Sequence, residues 1–208
     1  MSTNEVLDVE RRRVLQVLAA AVATPAVFVT GGFGMNEPGN AGAVESPRML
    51  PYAAAERAPG KPGDFDFLHG EWRIHHRFFQ STTNEWLEFE GEATCWTILS
   101  GAGSVEELRI PVRNFHGMGL RLLDIEKQVW NDHWVNAKSG VMTAPGTPGY
   151  FENSVGIFVS EDTDGEAPIL VRGVWDRITK TGCRWYQRVS KDGGATWNDT
   201  WFMDWRRA

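Results

Sequence analysis

Ten tryptophans stand between Trp72 and Trp205, and none precedes them. Side chains so large and rigid are hard to fit into a two-layer core, which must fill at crystal-like density. A closed barrel accepts them more easily, as the aromatic lining of a cavity for an apolar ligand. The stretch that carries them alternates with period two and shows no long helical pattern. The expectation is an all-β barrel with an apolar, Trp-lined cavity that holds a hydrophobic small molecule.

The alternation is clearest from Trp72, with Trp72, Ile74, His76 and Phe78 on one face and Arg73, His75, Arg77 and Phe79 on the other. After a polar loop a second run puts Leu87, Phe89, Gly91 and Ala93 opposite Glu88, Glu90 and Glu92. Paired as a hairpin with Phe79 beside Trp86, the runs set Arg77 against Glu88, His75 against Glu90 and Arg73 against Glu92. Three complementary pairs at one register fix the hairpin and make the charged face the outer one. Further strands are expected near 104–110, 118–124, 128–136, 150–160, 169–177, 183–190 and 200–206, joined as an up-and-down antiparallel meander. Ser190-Lys191-Asp192-Gly193-Gly194-Ala195-Thr196-Trp197 matches the Asp-box, a hairpin repeated in sialidase propellers. One copy in a chain too short for a propeller reads as a structural turn.

The first residues read as an address. Arg11-Arg12-Arg13-Val14-Leu15-Gln16 fits the twin-arginine pattern, an apolar run follows to Val29, and Ala41-Gly42-Ala43 offers a cleavage site. Residues 1–43 are therefore expected to be a twin-arginine signal, 44–63 a Pro- and Gly-rich linker, and 64–208 the domain, located in a periplasm. Residues 1–43 carry three basic and four acidic side chains, so the remainder, with 18 Lys and Arg against 23 Asp and Glu, keeps a net charge of −5. Weak acidity argues against nucleic acid and, after signal cleavage, against an anionic membrane surface. The sequence does not settle the oligomeric state. For Cys95 and Cys183 a disulfide and two buried thiols both stand open.

Gly70-Glu71-Trp72, opening the first strand after a short helical turn, resembles the Gly-x-Trp signature of lipocalins and related calycin barrels. In that family an arginine near the end of the last strand packs over the tryptophan, and Arg206 or Arg207 stands at that place. The chain is also similar to a group of bacterial lipocalin-like proteins. They share a Phe-x-x-Gly-x-Trp opening, a Trp-x-x-x-Trp-Val strand (here Trp130 to Val135) and a closing Ser-x-Asp-Gly-Gly-x-Thr-Trp hairpin. The resemblance implies a single lipocalin-like barrel and no particular activity.

If strand tryptophans point inward, Trp130, Asp132, Trp134 and Asn136 enter the cavity and Asn131, His133 and Val135 stay outside. With the opposite parity His133 enters instead. Asp132 between two indoles is expected to have a raised pKa, as suits a general acid, or else to be a hydrogen-bonded structural carboxylate. His76 is a candidate base, or a hydrogen-bonded core histidine. Asn153, Cys183 and Gln187 are expected inside, and His116 at the mouth. No Gly-rich loop opens a helix and the five histidines show no ligand spacing, so neither a cofactor nor a metal is expected. A haem would need one inward histidine, and His76 is the candidate.

Two functions follow. The first is a cofactor-free lyase or isomerase, opening an epoxide or cyclic ether or adding or removing water. Asp132 serves as acid, His76 as base, and the faces of Trp130 and Trp134 stabilise positive charge. The second is a periplasmic carrier that binds a hydrophobic molecule unchanged, anchored by Asn136, Asn153 and Gln187.

Overall fold

The alternation that begins at Trp72 closes on itself. The computed structural model describes residues 58–208, so the expected signal segment and most of the expected linker lie outside the described residues. Ten strands, β1 (Gly70–Gln80), β2 (Glu85–Ile98), β3 (Gly103–Ile110), β4 (Phe115–Asp124), β5 (Val129–Asn136), β6 (Thr147–Glu152), β7 (Val155–Asp164), β8 (Ala167–Asp176), β9 (Gly182–Ser190) and β10 (Asn198–Arg207), follow one another. Each pairs antiparallel with its neighbours in sequence, and β10 returns to β1, giving a closed barrel. This is the up-and-down architecture expected, compatible with a lipocalin-like barrel. Among the described residues, closure leaves no sheet edge exposed to another chain.

The first hairpin has the expected register: Arg73 lies beside Glu92, His75 beside Glu90, Arg77 beside Glu88 and Phe79 beside Trp86. His75 Nδ1 lies 2.7 Å from Glu90 and Arg77 lies 3.7 Å from Glu88. The third rung differs, because Glu92 accepts from Arg109 of β3 at 3.0 Å. These pairs are exposed, so His75→Ala or Arg77→Ala should change the unfolding free energy by only about 0.2–1 kcal/mol. His76→Ala removes a fully buried ring and should cost on the order of 3 kcal/mol. Urea titration of the two neighbours reads the strand parity directly; equal effects would contradict it.

One expected strand is two. The stretch 150–160 is broken by Asn153 and Ser154, which both take left-handed backbone (φ 49° and 62°) and join β6 to β7 in a two-residue turn. Such turns demand positive φ at both central positions, and asparagine tolerates it.

One end of the barrel is plugged. The 3-10 turn Asp66–Leu68 folds across it, with Phe65 edge-on to Trp130 and Phe151, each 4.9 Å away. Trp72 donates its indole N–H to Leu68 O (2.6 Å), and the Arg207 guanidinium stands 4.0 Å over the Trp72 ring. Arg207 also donates to the carbonyls of Phe67 and His69. Of the two arginines expected here, Arg207 is the one that covers Trp72. Gly60 and Gly63, from the end of the expected linker, hydrogen-bond Gln128 O and Gly101 O at this same end. Because strands alternate in direction, the hairpins β1–β2, β3–β4, β5–β6, β7–β8 and β9–β10 gather at the opposite end.

At that end the β9–β10 hairpin is the Asp-box. Asp192 accepts from Ser190, from the Thr196 hydroxyl and from the Thr196 backbone N–H, and Trp197 donates to Gly194 O. Asp192, Ser190, Thr196 and the Trp197 indole are all spent on holding the turn, which suits a structural role.

Candidate functional site

Seven tryptophans face inward, but they do not all line a cavity. Trp72 and Trp130 are fully buried in the plugged end, and Trp130 donates to Asp64 at 3.0 Å. Trp130 was expected on the ligand wall; Phe65 caps it, and it is core. Trp86 and Trp96 are outside, 39% and 42% exposed, and Trp197 covers the Asp-box. Above the plug lies a cavity of about 60 Å³ walled by Trp134, Trp175, Trp185, Trp201 and Trp205, with Leu108 and Met203. Its polar pole is Glu106, Arg121 and Asp132.

Three adjacent strands build that pole. Arg121 on β4 is the cross-strand partner of Asp132 on β5, and Glu106 on β3 is the partner of Gly119. Arg121 Nη2 donates to Glu106 Oε2 at 2.6 Å, with both residues almost wholly buried. On its other side Arg121 Nε stands 3.6 Å from Asp132 Oδ1. Two glycines make room. A Cβ on Gly119 would meet the Arg121 guanidinium at 3.1 Å, and one on Gly117 would lie 2.2 Å from the Trp134 ring. The Gly117-Met118-Gly119 segment gives bare backbone for a guanidinium and an indole to lie across.

Asp132 and Trp134 enter the barrel, and Asn131, His133 and Val135 do not, so β5 has the first of its two possible parities. Asp132 keeps 24% exposure on the cavity wall. Burial raises its pKa, opposed by the Arg121 charge and assisted by Glu106. A carboxyl held above its ordinary range and open to a cavity is a competent proton donor.

His76 is not at this cavity. Its ring stacks on Phe89 (4.8 Å, 11° between planes), and its Nδ1 accepts the Trp201 indole N–H at 3.2 Å. Trp201 lines the cavity and His76 sits behind it, so the expected acid–base pair is not brought together. Gly91 is required beside it, since a Cβ there would lie 2.5 Å from His76 Nε2. Burial, then the His75 and Arg113 charges, lower its pKa to about 3. The imidazole is therefore neutral and only weakly basic, a core histidine.

That shift has a measurable consequence. The unfolded chain takes up this proton near pH 6.5, whereas the fold refuses it until about 3. Stability should therefore be fully present above 6.5 and fall as pH drops toward 3, by up to about 1.4 kcal/mol per pH unit from this group. His76→Phe should flatten the slope of urea-unfolding free energy across that window; an unchanged slope would contradict the assignment.

The other expected contacts are corrected. Asn153 lies exposed in the β6–β7 turn, because its positive φ ends the strand. His116 is exposed on the outer face of β4 beside Arg109. Asn136 ends β5, where its side chain accepts from Lys138 N at 2.9 Å and caps the loop. Gln187 is buried and inward as expected, but it donates to Thr200 and is committed to the fold. Cys183 is also inward, and Cys95 and Cys183 are buried free thiols whose pKa burial raises. Among the described residues no three His, Cys, Asp or Glu side chains gather as a metal-ligand set.

The fold and site thus define a closed ten-stranded antiparallel barrel with one buried ionic pole facing five indoles. No protein-family model matches the chain, and no curated protein matches it significantly.

Proposed function

We propose that the protein is a cofactor-free acid–base enzyme, a lyase or isomerase, with Asp132 as the proton donor to a small molecule held in the cavity. The observation that supports this most is Asp132 itself, a carboxyl of raised pKa that keeps contact with an indole-walled space. Arg121 changes the kind of chemistry the site favours. A guanidinium 3.6 Å from Asp132 opposes positive charge on a neighbouring carbon and stabilises negative charge on an oxygen. The reading that fits is breakage of a C–O bond in an epoxide, cyclic ether or alcohol. The departing oxygen takes the bonding pair and the Asp132 proton while Arg121 stabilises it, and the carboxylate left on Asp132 takes the proton released by the neighbouring carbon or by a water that adds to the carbon. His76 has no part in the step.

A second reading, a carrier that binds without conversion, is favoured by the absence of His76 from the cavity, since binding needs no second proton-transfer group. In both readings the chain is a lipocalin-like protein exported through the twin-arginine route to a periplasm. The grounds are Arg11-Arg12-Arg13 and the Trp72–Arg207 pair. Incubation with a panel of aryl epoxides, cyclic ethers and benzylic alcohols, followed by mass analysis, separates the two. A product that forms with wild type and not with Asp132→Asn supports the enzyme, and bound compound recovered unchanged supports the carrier.

A further inference from the structure

Five donor groups at the cavity have no acceptor within hydrogen-bond distance. Arg121 Nε and Nη1 are buried with no hydrogen-bond partner, and so are the indole N–H groups of Trp134, Trp175 and Trp205. All four residues belong to the cavity wall. Buried donors are almost always paired, and a cluster of exceptions marks a place where something else supplies the acceptors. The protein's own acceptors do not. Glu106 is engaged by Arg121 Nη2, and Asp132 stands beyond hydrogen-bond distance from Nε.

Charge narrows the partner further. Glu106 and Arg121 cancel and a protonated Asp132 adds no charge, so an entering anion finds no spare cation. An entering cation meets Arg121 across the same few ångströms. The walls are indole faces, which suit a planar, polarisable body.

We infer that the molecule taken up is uncharged and aromatic, and that it presents an oxygen acceptor, an ether or carbonyl, to Arg121. This deepens the proposed function and rests on reading the cavity as the ligand site. The present volume of about 60 Å³ suits a polar group rather than a ring, whereas benzene occupies an engineered cavity of about 150 Å³. Ring entry therefore displaces a wall residue. Trp134 is the one to move, half-buried, lying over the bare Gly117 backbone, stacked on Phe115 at 6.2 Å and with no acceptor for its N–H.

The test uses four probes of one size on the full protein: acetophenone, ethylbenzene, benzoate and benzylammonium, with dissociation constants read by ligand-observed NMR. Acetophenone is expected to bind at least tenfold more tightly than each of the others. In the double variant Glu106→Gln/Arg121→Met, which removes both charges together, that preference should shrink to within threefold. Trp134→Phe, which shrinks the wall residue that must move, should strengthen acetophenone and ethylbenzene together and leave the preference between them within twofold. Ethylbenzene binding as tightly as acetophenone would overturn the inferred ligand class and leave the cavity reading standing, as would benzoate or benzylammonium binding tightest. Binding of none of the four, with no shift of the Trp134 indole resonance, would overturn the cavity reading itself.

Discussion

Asp132→Asn is expected to lower turnover of any converted substrate by at least about 100-fold, the low end of what a positioned proton donor contributes. The dissociation constant should stay within a few-fold, because the amide fills the same space on the cavity wall. Stability gives an internal control, since burial raises the Asp132 pKa. A carboxyl with a raised folded pKa stabilises the fold in its protonated form. That contribution is present at low pH and lost as pH rises through the raised value. Asparagine mimics the protonated state, so the variant should be at least as stable as wild type at neutral pH. Loss of turnover in a protein that has also lost stability would point instead to a structural carboxylate.

The largest stability effect belongs to Arg121→Met. Glu106, 2% exposed and 2.6 Å from Arg121, would be left as a buried charge without its cation. Removing one partner of such a pair costs about 3–5 kcal/mol. For a domain of this size that corresponds to a fall in melting temperature of roughly 6–20 °C. The double variant Glu106→Gln/Arg121→Met should recover most of the loss, because neutral groups of similar shape leave no charge stranded. Thermal melts of the two variants measure this, and a single variant as stable as wild type would show that the pair is not the anchor of the pole.

The barrel was legible because its strands repeat one simple pattern. Three charge pairs at a single register fixed the first hairpin, whereas the Trp-x-x-x-Trp spacing put both indoles of β5 on one face and left open which face pointed inward. The rest of the site was not legible, for physical reasons. On β4 the apolar alternation runs through Met118, Leu120 and Leu122, yet those residues face outward, while Gly117, Gly119 and Arg121 face inward. Pattern alone reverses that strand, so Arg121 stayed hidden. Glu106 could have been found, since it alternates with Ser104, Leu108 and Ile110 in β3. A lone glutamate among apolar positions signals a buried partner of opposite charge. Asn153 was misplaced because Asn153-Ser154 carries no glycine to announce the turn. His76 was correctly placed on the inner face, but a parity argument cannot say that Trp201 stands between it and the cavity.

The most direct test follows the ¹³Cγ shift of Asp132 with pH, in the free protein and with acetophenone bound. A midpoint above the ordinary carboxylate range, rising further when the ligand excludes water, is the result expected of a proton donor poised in a closed cavity. A midpoint at or below the ordinary range, unmoved by the ligand, would make Asp132 a plain counterion of Arg121 and remove the acid from the mechanism.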